Sequence, residues 1–448
     1  MILSFQQAGK KMGFWSVASL VAGSQIGSGI FLLPAGLAAF GAAGLTSWLI
    51  TGGGALLLAL IFAGLCAHYP KTGGPHAYIE AAFGKKIAFF AAWTYWVISW
   101  MSTPMVVIAI IGYLSPVLGN NQAWTNLSLE LLILAIVTGL NFRSVQSVGR
   151  IEFIFTLLKL LPLLIVPVVG LFFIQWSHFT PFNPTTESTF TAINSAALLT
   201  LWGFIGVESA TTPAESVHNA RKVIPKAIVL GTSVVACVYI LSTFSIMAVV
   251  PPAVLLNSKA PFAEASAILF GGSWSLIVSI VAAIVCFGTL NAWMLTSGQI
   301  ALGAANDGHF PEIFKKKNAK GAPVWGLLIS VIGIVSVLVL TKNNDLMVQI
   351  NTIIDISVTA FLFVYVFSVL SYLKLFWKEP QSQVINIKVL VIGFGALLFC
   401  LWAFWSSGFK MISMASLIVI AGVPVYWLRN RMTVTYLKHP PDVVEGRT

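Results

Sequence analysis

Charge is what this 448-residue chain has least of: Asp, Glu, Lys and Arg together make up 9% of it, whereas 58% of its residues are hydrophobic. Soluble domains carry about a quarter charged residues, so water is excluded as the main solvent. Only four cysteines occur, Cys66, Cys237, Cys286 and Cys400, all in apolar segments and without a CxxC spacing. That excludes a disulfide framework or a thiolate metal site and reads as core packing. The chain has no GxxxxGK[ST] run to cradle phosphates, no HExxH and no GxSxG elbow, and its six histidines form no ligand cluster. An ATP-driven pump or an intramembrane hydrolase therefore has nothing to stand on, and neither a cofactor nor a metal is expected. A cleavable signal peptide is not expected either, because the first apolar segment lacks a small-residue cleavage site and leads into more membrane.

What is there is a series of long apolar runs. About 20 apolar residues span a bilayer as a helix, and that yardstick gives twelve spans, at 13–36, 43–68, 87–114, 125–142, 153–175, 192–213, 227–250, 272–304, 323–341, 347–373, 387–407 and 411–428. The net charge of +11 would suit nucleic acid, but the basic residues sit in short loops between the runs. Lys259, Lys342 and Lys410 fall on one side, Lys159 falls within a span, and the other 21 of the 25 Lys and Arg fall on the opposite side. By the positive-inside rule both termini, including a tail at 429–448, face the cytoplasm, and the lipid bilayer rather than nucleic acid is the partner. The loop PKTGGPHAYIEAAFGKK reads as a cytoplasmic surface piece in which His68 and His76 are solvated, and the loops near 120–124 and 176–189 read as interfacial anchors.

Two of the runs carry interruptions. In SQIGSGIFLLPAGLAAFG, Gly27, Ser28 and Gly29 break the first span, with a half-helix expected to restart at Ile30. Gly costs roughly 1 kcal/mol in a helix interior, and non-helical backbone at membrane depth is tolerated only where it is buried in protein or lines a cavity. The freed N–H groups and the positive end of the following half-helix suit a carboxylate, although small residues also serve plain helix packing. The second interruption is LWGFIGVESA, with Gly203 and Gly206 in mid-span, about 175 residues further on. Paired broken helices at corresponding positions point to an inverted-repeat secondary transporter with a midplane site. The first repeat would be 1–175 and the second 192–376, with two extra helices at 387–428.

Ionisable groups inside the membrane are costly and are functional candidates by default. Lys159, Glu208 and Asp355 stand out. For Lys159, proton coupling and structural pairing are equally open. Glu208 offers a proton acceptor, a gate or a cation-attracting group, against a carboxyl bonded to freed backbone. Asp355 has a helix cap at a kink as its rival. Trp202, Trp293 and Tyr95 supply aromatic faces, and an indole holds a desolvated ammonium or guanidinium by about 2 kcal/mol, although most of the 15 Trp are belt and packing.

QIGSGIFLLP, the Gly pair of KTGGPHAY, LWGFIGVESA and ANDGHFP together resemble the amino acid/polyamine/organocation superfamily, and within it the basic amino acid and polyamine antiporters, over nearly the whole chain. The resemblance implies an all-α membrane fold of twelve helices, arranged like the leucine transporter as a 5+5 inverted repeat with broken first and sixth helices. It implies that Ser28 and Gly29 bind the substrate carboxylate and that carbonyls of Trp202 and Ile205 meet its amino group. It also implies that Trp202 and Trp293 stack on the side chain, that Tyr95 gates, and that Glu208 responds to pH. The third helix departs from the arginine-binding pattern, with Ile98, Ser99 and Thr103 at the family's substrate positions and no Asn. Lys159 stands where proton-coupled, sodium-independent relatives carry a lysine, and Asp355 stands where a small hydroxyl residue is expected.

The resulting expectation is a bacterial inner-membrane exchanger of amino acids, arginine/agmatine-like in exchanging a basic amino acid for its decarboxylated amine by alternating access. The alternatives are a proton-coupled amino acid symporter of broader specificity, using Lys159 and Glu208, and a transport-inactive sensor. Homodimerisation is left open.

Overall fold

The computed structural model describes residues 11–119, 122–258, 260–342, 346–377, 386–427 and 429, and the elements among them are helical apart from isolated bridges. In chain order the helices are α1 (Phe14–Gln25), α2 (Ser28–Ala38), α3 (Gly41–His68), α4 (Pro75–Phe83), α5 (Lys85–Met101), α6 (Thr103–Leu118), α7 (Ala123–Asn141) and α8 (Val145–Gly170). They continue with α9 (Thr189–Trp202), α10 (Ala220–Val249), α11 (Pro252–Leu255), α12 (Pro261–Phe270), α13 (Ser273–Asn306), α14 (Val324–Thr341), α15 (Leu346–Phe376) and α16 (Ile387–Ile420). Ten helical stretches among the described residues are long and apolar enough to cross a membrane.

Local chemistry sets the boundaries. Ser144, Ser188 and Asn386 cap α8, α9 and α16 by accepting the N–H groups of Ser147, Thr191 and Val389. Pro75, Pro252 and Pro261 open α4, α11 and α12 at a position where a missing N–H costs nothing. Inside α8, Pro167 has no N–H for the carbonyl of Leu163, and Ser242 of α10 donates its hydroxyl to that oxygen at 3.3 Å.

The last stretch, Ile387–Trp427, is 41 residues long, roughly 60 Å as a straight helix and twice the thickness of a hydrocarbon core. It does not run straight. Gly408 sits at φ 74°, ψ 160°, a left-handed value that glycine adopts without steric cost, and the contacts on either side show the chain doubling back. On the way out Gly393 packs on Leu373 and Phe404 on Phe363; on the way back Val419 lies by Val364, and Tyr426 reaches Phe89 and Phe90.

Several expectations are corrected. The third span is bent at Ser102 into α5 and α6. Only Thr189–Trp202 of the sixth span is α-helical, followed by turns and two short 3-10 pieces up to Ser216. The half-helix after the first break starts at Ser28, not Ile30. The loop after α3 is not a surface piece: α4 packs against α5 and α15 and buries most of its length. His76 is fully buried there and bonds Asp307 at 3.1 Å, while His68 is exposed as expected. Its burial follows from the glycine pair before it: Gly73 lies so close to Gly303 of α13 that a Cβ on either would collide, which brings α4 under the end of α13. Cys237 faces outward on α10, whereas Cys66, Cys286 and Cys400 are buried.

Candidate functional site

The first break is the turn at Ile26 and Gly27 between α1 and α2, with Gly27 at φ −139°, ψ −150°. A helix end leaves its last carbonyls unpaired, and here side chains from three other helices take them one by one. Lys159 of α8 donates to the Gly23 carbonyl at 2.8 Å, the Trp293 indole of α13 to Ser24 at 3.1 Å, the Tyr239 hydroxyl of α10 to Gln25 at 2.6 Å, and the Thr289 hydroxyl of α13 to Ile26 at 2.7 Å. Gly27 packs on Thr289 so closely that a Cβ there would sit 2.6 Å from its methyl group. The other side of the break differs. The first N–H groups of α2 have no intrahelical partners by geometry, and Gly27 offers no side-chain cap.

The second break meets the first directly. Ser24 bonds the Gly206 carbonyl at 3.1 Å and the Ser209 hydroxyl at 2.7 Å. Gly206 has φ 104°, a value that only glycine takes without strain, and it turns the chain against Ser24 and the Trp293 ring. Trp202, at the end of α9, lies over Gly29: a Cβ on Gly29 would be 3.1 Å from the indole. The structure thus brings Gly27, Gly29, Trp202, Gly206 and Trp293 to one place, with Ile205 buried in the turn that follows Trp202.

Beneath them is an aromatic chain centred on Phe361, whose ring lies 5.9 Å from Tyr95, 5.8 Å from Trp293 and 6.0 Å from Tyr365. The Tyr365 hydroxyl donates to the Glu208 carboxylate at 2.6 Å. One oxygen of Glu208, the Ser357 hydroxyl one turn from Phe361, and the Thr296 hydroxyl one turn from Trp293 are buried with no partner among the described residues. A buried polar atom without a partner costs about 1–3 kcal/mol, and these three lie close to the second break and the Phe361 ring. Ile98 and Ser99 lie one turn along α5 from Tyr95 and are fully buried. Ser99 gives its hydroxyl to Trp96, and Thr103, across the Ser102 bend, gives its own to the Ser99 carbonyl at 2.8 Å. Of Ser28 only the backbone position is described: it is the first residue of α2.

Lys159 is fully buried and paired. Its ammonium lies 3.2 Å from Glu152 and 3.1 Å from Thr289, and the second Glu152 oxygen accepts from Asn291 at 3.1 Å, which in turn is bonded by Asn141. Reading three intramembrane ionisable residues was an undercount, since Glu130 and Glu152 are buried within helices as well. Glu152 had a usable signal, because it stands seven residues before Lys159 and so on the same face of α8. Tyr365, Phe361 and Ser24 were also missed; of these only Ser24, inside the Gly-rich run, had a local cue. Asp355 lies elsewhere. At 100° per residue it faces away from Ser357 and Phe361, towards α9 and the Gly408 turn.

Two discontinuous helices meeting through backbone and hydroxyl contacts, inside a bundle of apolar helices, define a multi-pass membrane protein. Comparison with known proteins gives the family: the sequence matches the amino acid permease profile over residues 12–429, and the chain belongs to that family, among the basic amino acid and polyamine antiporters of the amino acid/polyamine/organocation superfamily. It is 32% identical to the putrescine transporter PotE of Haemophilus influenzae, covering 93% of this chain and 96% of that one. It is 33% identical to a putative arginine/ornithine antiporter of Bacillus subtilis, over 72% of this chain and 75% of that one. It is also 33% identical to the cadaverine/lysine antiporter of Escherichia coli, over 74% and 75%.

Proposed function

We propose that this protein is an inner-membrane exchanger that swaps a basic amino acid for a decarboxylated amine by alternating access. The observation that carries the reading is the asymmetry of the first break: its carbonyl end is satisfied by Lys159, Trp293, Tyr239 and Thr289, while the N–H end of α2 has no side-chain cap at Gly27. A substrate carboxylate fits those donors at Gly27, Ser28 and Gly29, its ammonium group meets the negative C-terminal end of α9 at Trp202 and Ile205, and its side chain lies between Trp202 and Trp293. Tyr95, Phe361, Tyr365 and Glu208 form the floor, which must move for release towards the basic-loop face. The relatives' names, which pair putrescine, ornithine, arginine, lysine and cadaverine with transport or antiport, support a cationic cargo.

In this reading α9 with the turns after it is the sixth crossing and the Gly408 reversal divides the eleventh from the twelfth, so the ten long stretches become twelve crossings with both termini cytoplasmic. The first ten form two inverted repeats of five. Differential affinity for the inward and outward states drives exchange.

Proteoliposome uptake tests this. Labelled lysine, ornithine, arginine or putrescine should enter vesicles preloaded with a partner substrate and not empty ones. Uptake into empty vesicles driven by a pH gradient would replace exchange with proton symport, the second reading that the buried Lys159–Glu152 pair favours. No movement of any substrate under either condition would leave a sensor.

A further inference from the structure

Asp355 takes no part in the seat between the broken helices. It lines a separate cavity of about 170 Å³ with Leu198, Val358, Thr359, Ser407 and Met411. We infer that Asp355, Thr359 and Ser407 form a second seat, for the ammonium group of a small alkylamine, on the side of the protein opposite the basic loops.

The polar atoms around this cavity are all acceptors. The Thr359 hydroxyl donates its proton to the Asp355 carbonyl at 2.8 Å, and the Ser407 hydroxyl donates to Ala403 at 2.9 Å. Each hydroxyl has one proton to give, so both turn only lone pairs to further partners. The Asp355 carboxylate has no ion pair or hydrogen-bond partner among the described residues, and the nearby cation in sequence, Lys410, is exposed and pairs with nothing described. Three acceptors of which one is anionic, with no donor to satisfy them among the described residues, match a primary ammonium with its three N–H groups. An anion or a neutral acceptor would meet no donor among those residues.

Leu198, Val358 and Met411 supply the apolar wall that a methylene chain needs. A cavity of about 150 Å³ takes a ligand of benzene's size, which matches a four- or five-carbon amine. The reversal at Gly408 builds the site, because it delivers Ser407 from the outgoing segment and Met411 from the returning one to the same side of α15. Leu198 stands one turn before Trp202 on α9, so this seat lies about 6 Å along that helix from the central one. A free amine and the ammonium of a lipid headgroup share this chemistry.

Binding to the full chain in nanodiscs tests it, with labelled putrescine as the probe. In phosphatidylcholine discs the Trp293→Ala variant, which loses the central seat, should retain a putrescine component, and adding Asp355→Asn should weaken that component at least tenfold, the usual loss when a charged hydrogen-bond acceptor is removed. Thr359→Val should weaken it by a smaller factor, and reports independently if the aspartate variant does not elute as a folded protein. Discs made with phosphatidylethanolamine separate the sources: competition there identifies the lipid ammonium as an occupant, and unchanged binding identifies the free amine. Putrescine binding that is the same with and without the Asp355 carboxylate in both lipids would overturn the inference. Failure of exchange in proteoliposomes with the Asp355-dependent component intact would count against the proposed function and leave this seat standing.

Discussion

Replacing Lys159 by methionine should be among the most damaging single changes in the membrane core. Lys159 makes three hydrogen bonds, to Gly23, Glu152 and Thr289, and lies with Glu152 at 0% exposure. Methionine keeps most of the volume but leaves one Glu152 oxygen and the Gly23 carbonyl without a donor. Breaking a buried pair from one side costs about 3–5 kcal/mol, because an uncompensated charge remains. Glu152 has little room to turn away, since a Cβ on Gly23 would already overlap its carboxylate. Replacing both partners by neutral groups is far milder: in Lys159→Met with Glu152→Gln, the new amide retains the bond to Asn291 and carries no charge. The double variant should recover at least half of the loss, a coupling of about 2 kcal/mol or more. Reversible unfolding in mixed micelles, read by tryptophan fluorescence on the wild type, both single variants and the double variant, gives the cycle. A cost below about 1 kcal/mol for Lys159→Met, the range of solvent-exposed pairs, would refute the reasoning, as would a double variant no better than the sum of the singles.

Trp293→Ala should abolish uptake while the protein still elutes as folded, because the indole both walls the seat and donates to Ser24; wild-type uptake would remove its role. Gly206→Ala forces a side chain onto φ 104° and within 2.9 Å of the Ser24 hydroxyl, so about 1–2 kcal/mol of backbone strain should appear as a lower unfolding midpoint together with lost exchange. On the basic-loop face, burial and the neighbouring His76 hold the His309 imidazole below its ordinary value, against the opposing pull of Glu80, which it bonds at 2.8 Å. A depressed folded pKa contributes stability that is present above the unfolded value, about 6.5, and is lost as pH falls through the folded one. Midpoints measured from pH 8 to pH 5 should therefore hold steady and then drop below about pH 6.5, and His309→Gln should flatten that drop; an equally steep variant would exclude His309 as the source. Burial alone would raise Asp307, but the bond and charge of His76 outweigh it and hold it below the usual range, so its contribution should be lost at lower pH still.

The break at Gly27 was legible because two glycines and a serine in a membrane-long apolar run have no better local explanation than a turn, and the structure turns there. The sixth span was legible as interrupted but not in extent, since nothing local says that the helix stops at Trp202 and continues as turns through Glu208. Long-range partners were invisible. His76 looked like a loop histidine because its acceptor, Asp307, is 231 residues away. Tyr365 is one tyrosine in an apolar helix, and only the approach of α15 to the second break makes it a partner of Glu208. Helix α12 lies between the seventh and eighth spans because ten residues are too few to cross a bilayer, and Glu152 falls one residue before the fifth span, whose helix α8 starts earlier, at Val145. Asp355 shows the reverse error. It was legible as a costly charge, but its direction depends on which face of α15 meets Trp293, and the sequence does not state that.

The asymmetry of the first break bears on how one seat can serve both an acid and an amine. The carbonyl end of α1 is satisfied by four of the protein's own side chains, so it does not need the cargo to meet it. In the proposed exchange the N–H end of α2 would meet a carboxylate that an amino acid has and a decarboxylated amine lacks. An unmet donor in a dry site costs about 1–3 kcal/mol, a factor of roughly 5 to 150 in affinity, and that is the margin by which the acid should displace the amine. In the same proposal Trp202 and Trp293 would contact what the two cargoes share and could not tell them apart. In the proposed exchange, discrimination between the partners would therefore rest on backbone N–H groups at Gly27, Ser28 and Gly29 rather than on a charged side chain, which is consistent with glycine on both sides of Ser28.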